Sequence, residues 1–236
     1  MRHLGRLAAL LALGVLCLQL WFAGRIALMA WIAPQSTSFQ RSEALRLLQE
    51  KQQVAWAQAW VDDAQLPRTL KRAVIASEDD GFADHGGVDW DALEGARKKN
   101  EKAQARAAAR GKTPKVIGGS TITQQLAKNL FLSGERNLVR KGQELVLTLT
   151  LEALLDKRRI LEIYLNSVEW GEGLFGAQAA ARHYFRTDVS RLGAFEAARL
   201  AVMLPAHKRF ERQPASAYVM ARAAVIAGRM NDVKLP

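Results

Sequence analysis

The sequence has one cysteine, no regular strand pattern and no metal-ligand spacing. Because Cys17 stands alone among 236 residues, no disulfide can form within the chain. No stretch of useful length alternates apolar and polar residues, no segment repeats, and no nucleotide-binding glycine fingerprint is present. His85, His183 and His207 are not spaced as ligands of one metal ion. These absences predict a mostly α-helical protein in which the histidines are structural.

Acidic residues are also scarce relative to basic ones. The chain has 23 Asp and Glu against 34 Lys and Arg, a net charge of +11. This balance indicates anionic partners, which include phosphates, anionic lipid headgroups and nucleic acid. The length fits one domain of ordinary size with an accessory segment, and a second large domain does not fit.

One apolar run near the N-terminus is long enough to span a bilayer. Residues 7–24 carry no charge, and the apolar run resumes after Arg25 as far as Ala33. We therefore predict a transmembrane signal anchor over residues 7–33. A cleaved signal peptide is the alternative, but the stretch is longer than its apolar region needs and no clear small-residue cleavage site closes it.

The flanks of this run predict its orientation. Basic residues in segment 1–6 place the N-terminus in the cytoplasm, so that the bulk of the chain faces outward. Arg25 would lie near an interface, where its side chain can snorkel. The aromatic residues expected to form a belt at the same end are Trp21, Phe22 and Trp31.

The rest of the chain divides into a connecting segment and a main domain. Residues 34–66 begin as a polar linker and continue as a membrane-proximal helix. The main domain is predicted over residues 67–236. The apolar face of the connecting segment is expected to carry Leu45, Leu48, Trp56 and Trp60.

The candidate catalytic carboxylate lies at the end of the first helix of this domain. Pro67 opens a helical period that Gly81 stops, so Glu78 falls in the last turn. The negative end of the helix dipole and the adjacent Asp79 and Asp80 disfavour its charged form, a direction that suits a general base. The alternative is a solvated acidic helix end whose Asp-Gly only makes a turn.

A basic segment follows a short helix that begins near Val88. Between Arg97 and Lys115 there are eight basic residues against one acid, Glu101. We expect this segment to be mobile and cationic. It is either a solvated surface or a flap that attracts a phosphate-bearing substrate or a headgroup surface.

A second helix begins at the glycine-rich turn GGST, residues 118–121. Thr121 and Gln124 have the spacing of a capping box, and the helix N-terminus can hold an anion. Lys128 shares a face with Gln124, so its ammonium can stand beside the hydroxyls of Ser120 and Thr121. An ordinary capped helix with a surface lysine is the alternative.

The next helix carries Arg140 and Glu144 four residues apart, hence on one face. They are either an exposed ion pair or a second carboxylate held in a cleft by a guanidinium. Asp156 is expected to cap the following helix. Glycines 171, 173 and 176 predict a loop with close backbone approach. Two final helices are expected over residues 190–204 and 214–230.

Four stretches in this order resemble the peptidoglycan glycosyltransferases, glycosyltransferase family 51, and most closely its monofunctional biosynthetic transglycosylases with one signal anchor. The resemblance runs from about Leu66 to Phe210. The matching stretches are EDDGFADHGG, GGSTITQQLAKN, RKGQELVLTLTLE and KRRILEIYLNSVEWGEGLFGAQAAARHYF. A fifth, ARLAVMLPAHKRF, departs from the family because Ala206 and His207 stand where Asn-Pro is common.

The resemblance implies a lysozyme-like helical domain with a second, membrane-facing lobe, and polymerisation of lipid II at the outer face of the bacterial inner membrane. It makes Glu78 the base for the acceptor's 4-hydroxyl, and Glu144 an assisting group at the donor. The residues implied to bind the donor pyrophosphate or to shape the sites around it are Lys128, Arg140, Ser120, Thr121, Gln124 and Gln125. Those implied to structure the first motif are Asp79, Phe82 and His85.

The resemblance also implies a divalent cation, Mg²⁺ or Mn²⁺, on the donor diphosphate, and no organic cofactor. Expected partners are lipid II, the growing glycan chain, the bilayer, and other cell-wall synthesis or division proteins, with no nucleic acid.

Three other functions are compared with the sequence features. A lytic transglycosylase or lysozyme-like hydrolase would share the fold but cleave the wall. A membrane-tethered scaffold or nucleic-acid binder would explain the charge alone. A bifunctional penicillin-binding protein is excluded by length and by the absence of Ser-x-x-Lys and Lys-Thr-Gly signatures.

Overall fold

A computed structural model describes residues 2–108, 111, 113, 118–135 and 137–236. These residues are mostly helical, as predicted. The helices are α1 (Arg2–Leu28), α2 (Ser38–Lys51), α3 (Arg68–Glu78), α4 (Trp90–Ala108), α5 (Ile122–Phe131), α6 (Leu138–Leu154), α7 (Lys157–Ser167), α8 (Ala177–Phe185), α9 (Ala194–Met203), α10 (His207–Phe210) and α11 (Ala217–Arg229).

The described helices pack in two groups, one that contains α3 and one that contains α5. On one side, α3 packs against α9 and α11; on the other, α5 packs against α2 and α6, and α6 contacts α1. In α3, α5, α7, α9 and α11 an apolar stripe is buried, because apolar residues recur there at helical spacing. Fully buried examples are Leu70, Leu126 and Tyr164. The second, membrane-facing lobe implied by the resemblance stays a prediction.

A small sheet is present that the sequence pattern did not reveal. Its strands are β1 (Ala57–Gln58), β2 (Glu169–Gly171) and β3 (Leu174–Phe175), in the order β1-β3-β2. β1 pairs in parallel with β3, and β2 pairs antiparallel with β3. Strands of two or three residues are too short to show alternation. At Gly173, φ is +71° and a Cβ atom would lie 2.1 Å from the Ala55 carbonyl oxygen, so the predicted close approach is confirmed.

The apolar face predicted for the connecting segment is wrong for α2. Leu45 and Leu48 are 55% and 54% exposed, whereas Leu47 is buried beside the polar Gln40 and Glu43. Gln40 is buried because it completes a capping box with Thr37. Glu43 is buried because it accepts hydrogen bonds from Arg46 and Lys208. A helix that buries polar groups with partners cannot be recognised from its apolar spacing alone.

The basic segment is also more regular than predicted. α4 continues to Ala108 instead of ending as a short helix, and its cations are exposed. Two of them, Arg97 and Lys98, form ion pairs with Glu101 and Glu94 four residues away, which favours a helix. The last basic residues of the segment, Arg110, Lys112 and Lys115, lie outside the described residues.

α1 is the single described helix that is long and apolar enough to cross a membrane, over His3–Leu28. It ends before the predicted limit at residue 33, and its last turns pack against the domain. Phe22 was predicted to be a belt aromatic, but it is 9% exposed and its ring lies 5.3 Å from that of Phe131. Gln19 and Gln143 of α6 exchange two amide hydrogen bonds of 2.8 and 3.0 Å. The helix is therefore docked on the domain.

Candidate active site

Glu78 is the last residue of α3, as predicted. Its Oε2 accepts a hydrogen bond of 3.0 Å from the Gln125 amide, and its Oε1 is buried with no hydrogen-bond partner among the described residues. Burial raises the pKa of Glu78, and the charge of Asp79 adds a smaller rise, against the hydrogen bond from Gln125. The direction of the shift agrees with the prediction, but burial is its main cause.

The neighbouring Asp79 joins the first motif to the start of α5. Its Oδ1 lies 2.8 Å from His85 Nε2, and its Oδ2 accepts a hydrogen bond of 2.9 Å from the backbone N–H of Ile122. His85 Nδ1 accepts from the N–H of Gly87, so Nε2 carries the proton that reaches Asp79. Burial raises the pKa of Asp79 although these hydrogen bonds oppose the rise. This carboxylate fixes the backbone immediately after Glu78.

Phe82 is a core residue of the first motif. Its side chain is fully buried, and the Lys157 ammonium lies 4.5 Å from its ring centre. Lys157 also pairs with Glu152 at 2.8 Å, and Glu152 accepts from the Thr123 hydroxyl at 2.5 Å. Phe82 thereby fixes the turn after Glu78 through contacts inside the protein.

The predicted capping box at α5 is confirmed. The Thr121 hydroxyl oxygen accepts from the N–H of Gln124, and the Gln124 side-chain oxygen accepts from the N–H of Thr121, each at 3.1 Å. The Gln124 side-chain oxygen is therefore already used by the fold. Ser120, immediately before the box, lines all three of the cavities described next.

Three cavities meet at Ser120, and together we call them the cleft. The cationic cavity, about 310 Å³, is lined by Lys128, Arg140, Lys141 and Glu144. The central cavity, about 480 Å³, is lined by Glu78, Lys128, Glu169 and His207. The acidic cavity, about 470 Å³, is lined by Glu78, Asp80, Asp91 and Arg229. Glu78 and Lys128 thus face one space, and Lys128 continues into the cationic cavity.

The Arg140 and Glu144 pair lines the cleft and is not an exposed ion pair. The guanidinium of Arg140 donates to Glu144 Oε2 at 2.9 Å, and the two side chains are only 16% and 5% exposed. Lys141, which sequence reasoning missed, donates to the other oxygen, Glu144 Oε1. Both oxygens of Glu144 are therefore held by cations. The spacing of Lys141 three residues before Glu144, which places the two side chains side by side on a helix, was the signal that could have identified it.

The departure in the fifth motif places a histidine in the central cavity. His207 Nε2 lies 2.6 Å from Glu169 Oε2, and its Nδ1 lies 3.2 Å from the Leu204 carbonyl oxygen. Glu169 is 1% exposed. Lys208, the next residue, donates to Glu43 of α2 at 2.7 Å. The fifth motif is thus attached to β2 and to α2 by charged side chains.

Two further cleft features were missed because they come from distant segments. Phe39 of α2, predicted as part of the connecting segment, lines both the cationic and the central cavities. Tyr164 of α7, predicted as part of a buried apolar face, donates to the Gln125 side-chain oxygen at 2.9 Å. Neither contact can be read from local spacing, because each depends on how separate helices pack.

The described residues do not form a metal site at the cationic cavity. No group of three or more His, Cys, Asp or Glu side chains that could hold a metal ion occurs in the described part of the chain. Both oxygens of Glu144 already accept from cations. A divalent cation would therefore need ligands from the substrate's own diphosphate, and the predicted Mg²⁺ or Mn²⁺ stays a prediction.

The fold and cleft are those of a helical glycosyl-transferring enzyme, and comparison with known proteins gives the family. The protein-family model described as Transglycosylase matches residues 43–231. The chain belongs to this family, and the resemblance to the peptidoglycan glycosyltransferases is confirmed. The match begins inside α2, whereas the predicted domain limit at residue 67 stays a prediction.

Curated relatives are similar over almost the whole chain. A biosynthetic peptidoglycan transglycosylase of Paraburkholderia phytofirmans is 50% identical over 98% of this chain and 92% of its own length. Proteins of the same description from Burkholderia lata and Burkholderia ambifaria are 52% and 53% identical, over 94% of this chain and 86% of theirs.

Proposed function

We propose that the protein polymerises lipid II into linear peptidoglycan strands. The growing chain, linked to lipid pyrophosphate, is transferred to the 4-hydroxyl of the acceptor N-acetylglucosamine, and undecaprenyl diphosphate is released. The observation that carries this proposal is the cleft. Glu78, whose buried Oε1 has no hydrogen-bond partner in the described part of the chain, and the cations around Arg140 line connected cavities there. Transpeptidase activity is not part of the proposal, because its sequence signatures are missing.

Glu78 has the properties of a general base for this transfer. Its Oε1, to which no other described residue donates, accepts the proton of the acceptor hydroxyl while the hydroxyl oxygen forms a bond to the donor's anomeric carbon. The bond from that carbon to the pyrophosphate oxygen breaks at the same centre. The raised pKa of Glu78 makes its carboxylate a stronger base than an exposed glutamate. Attack from the face opposite the pyrophosphate would invert an α linkage to β.

The cationic cavity suits the leaving group. Negative charge develops on the pyrophosphate as the bond breaks, and preorganised cations stabilise such charge without reorganisation. Lys128, Arg140 and Lys141 line this cavity, and Glu144 holds two of them in place. Glu144 therefore assists at the donor side by positioning cations. A divalent cation on the diphosphate would add charge stabilisation, but no step here depends on it.

This chemistry favours synthesis over cleavage of glycan. A hydrolase acts on a sugar leaving group and needs a strong general acid to protonate it. Here both oxygens of Glu144, the carboxylate near the cationic cavity, accept hydrogen bonds from cations, an arrangement that does not suit a general acid. A lipid pyrophosphate needs no such acid, because it is already a good leaving group.

We further propose that α1 anchors the enzyme in the bacterial inner membrane, with the N-terminus cytoplasmic and the catalytic domain periplasmic. Residues 7–18 of α1 are exposed and apolar, and the span has a mean hydropathy of 2.1. Next to it, α6 exposes Leu138 and Val139, which are 90% and 85% exposed. Such exposed apolar side chains beside a spanning helix suit contact with lipid, and a lipid-linked substrate stays in the same layer.

The test is polymerisation of purified lipid II in detergent, comparing the native chain with Glu78→Gln. We expect polymer from the native enzyme and almost none from the variant. Glu94→Gln is a matched control, since it also removes one glutamate charge but lies exposed on α4 in an ion pair with Lys98. Undiminished synthesis by Glu78→Gln would place the base elsewhere, and release of muropeptides from finished glycan would support a lytic enzyme.

A further inference from the structure

A line of hydrogen bonds runs from the interior of the domain to Glu78. The hydroxyl of Tyr164, on α7, donates to Oε1 of Gln125, on α5, at 2.9 Å. The Nε2 of Gln125 then donates to Oε2 of Glu78, at the end of α3, at 3.0 Å. Tyr164 is 1% exposed. Three separate helices thus place their side chains in one sequence of donors and acceptors.

The buried hydroxyl determines which way the Gln125 amide points. A hydroxyl in a dry interior needs an acceptor, because an unmade hydrogen bond there is costly. The Gln125 oxygen is the acceptor that the hydroxyl of Tyr164 contacts. Turning the amide over would set its NH₂ group against this hydroxyl and its oxygen against the carboxylate of Glu78. The observed orientation is therefore the one that favours an ionised Glu78.

We propose that Tyr164 is a positioning residue for the catalytic base, which it supports by holding the Gln125 amide with its NH₂ group toward Glu78. This inference rests on the proposed role of Glu78 as the base. Tyr164 acts through Gln125, because its hydroxyl points at the far side of the amide. Both ends of the Gln125 amide are used inside the protein: its oxygen accepts from Tyr164, and its nitrogen donates to the Glu78 carboxylate. The main role of Gln125 is therefore to support Glu78.

The hydrogen bond from Gln125 opposes the other influences on the pKa of Glu78. Burial and the charge of Asp79 raise the pKa of Glu78, and the hydrogen bond from Gln125 is the contact that lowers it. Burial raises the pKa of Tyr164 well above its ordinary value, and the charges of Glu78 and Asp79 add to the rise. The hydroxyl therefore keeps its proton, and remains a donor, over the pH range in which Glu78 titrates.

Other charged groups face Glu78 from the elements around it. They are Asp80 and Asp89 from the loop after α3, Asp91 and Lys99 from α4, Lys128 from α5, Arg229 from α11, and the Glu169 and His207 pair from β2 and α10. All of them are unchanged when the Tyr164 hydroxyl alone is removed. A difference between the native chain and Tyr164→Phe therefore reports the hydroxyl and the amide it holds.

The experiment measures kcat/KM for lipid II polymerisation against pH for the native chain and Tyr164→Phe. We expect the acidic limb to move to higher pH by about half a unit to one unit, which corresponds to the loss of part of one hydrogen bond. At pH values above the shifted limb, activity should approach the native level. A loss of rate that is equal at every pH would show a structural role only and would overturn the proposal.

A direct titration separates this inference from the proposed function. The carboxyl carbon of Glu78, labelled with ¹³C and assigned by its loss in Glu78→Gln, reports the pKa of Glu78 whether or not polymer is made. Absence of polymer from the native chain would refute the proposed function. If the native chain makes polymer but the pKa of Glu78 is the same in Tyr164→Phe as in the native chain, the role of Tyr164 is refuted.

Three further variants make the outcome decisive. Tyr184→Phe is the matched control, because its hydroxyl donates to the Trp170 carbonyl oxygen away from Glu78, so the limb should stay in place. In Gln125→Met the acidic limb of the pH profile should move to a pH at least as high as in Tyr164→Phe. This variant also tests the hydrogen bond to Glu78 if Tyr164→Phe fails to fold. Because Tyr164 acts through Gln125, the double variant should add no shift beyond Gln125→Met; an additional shift would overturn the proposed route.

Discussion

The hydroxyl of Thr121 donates a hydrogen bond of 2.6 Å to the carbonyl oxygen of Gly87. This contact joins the turn after Glu78, the proposed base, to the start of α5. A second contact, from the N–H of Ile122 to Asp79, lies beside it. The two motifs that supply Glu78 and Gln125 are therefore held as one unit, and the hydrogen bond between those side chains depends on it.

Gly87→Ala should disturb this unit. The φ of Gly87 is +90°, and an added Cβ would lie 2.8 Å from Thr148 Cγ2 and from Glu152 Cγ. We expect a loss of about 2 kcal/mol in the free energy of unfolding, together with reduced polymerisation. Gly86→Ala is the neighbouring control, since a Cβ there meets nothing within 4 Å. Equal denaturant midpoints for the two variants would contradict this account.

Glu78→Gln should stabilise the protein in a pH-dependent way. The pKa of Glu78 is raised in the folded state, so its contribution to stability is full below the unfolded value and is lost as pH rises through the folded value. Gln cannot ionise, so at neutral pH the variant should melt at a higher temperature than the native chain. The difference should vanish below about pH 4. Melting curves of both proteins across this range test the sign.

Arg140→Ala should weaken donor use more than it weakens folding. Its guanidinium lines the cationic cavity and holds Glu144. We expect polymerisation to fall by roughly tenfold to a hundredfold, as for loss of one group that stabilises developing charge. Lys98→Ala is the control, because it also removes one cation of an i,i+4 pair but on the exposed face of α4. Parallel loss of melting temperature and activity in Arg140→Ala would argue against a role in binding.

His207→Ala should destabilise the domain through Glu169. The variant leaves a buried carboxylate without its hydrogen bond of 2.6 Å, and the next cation, Lys208, is 3.9 Å away. We expect a cost of about 1–2 kcal/mol by denaturant unfolding. His183→Ala is the control, because His183 is exposed on α8. If both variants unfold at the same denaturant concentration, the His207 contact contributes nothing to stability.

Sequence reasoning located the helix ends that carry Glu78 and Thr121, because caps and apolar spacing are local signals. It could not decide whether Arg140 and Glu144 face solvent or the cleft, since both positions are compatible with one helix face. It also missed Phe39 and Tyr164 as parts of the cleft. Their roles depend on packing between helices far apart in the chain, and nothing in their own neighbourhood marks them.

The docked end of α1 affects how the enzyme meets its substrate. If α1 were joined to the domain only by a flexible linker, the domain could rotate relative to the bilayer. In many encounters with lipid II the cleft would then face away from the substrate. The amide pair between Gln19 and Gln143, with Phe22 packed on Phe131, fixes the rotation of the helix about its axis. If α1 spans the membrane as proposed, the cleft therefore keeps a fixed orientation relative to the bilayer, and the search for a lipid-linked substrate is two-dimensional diffusion.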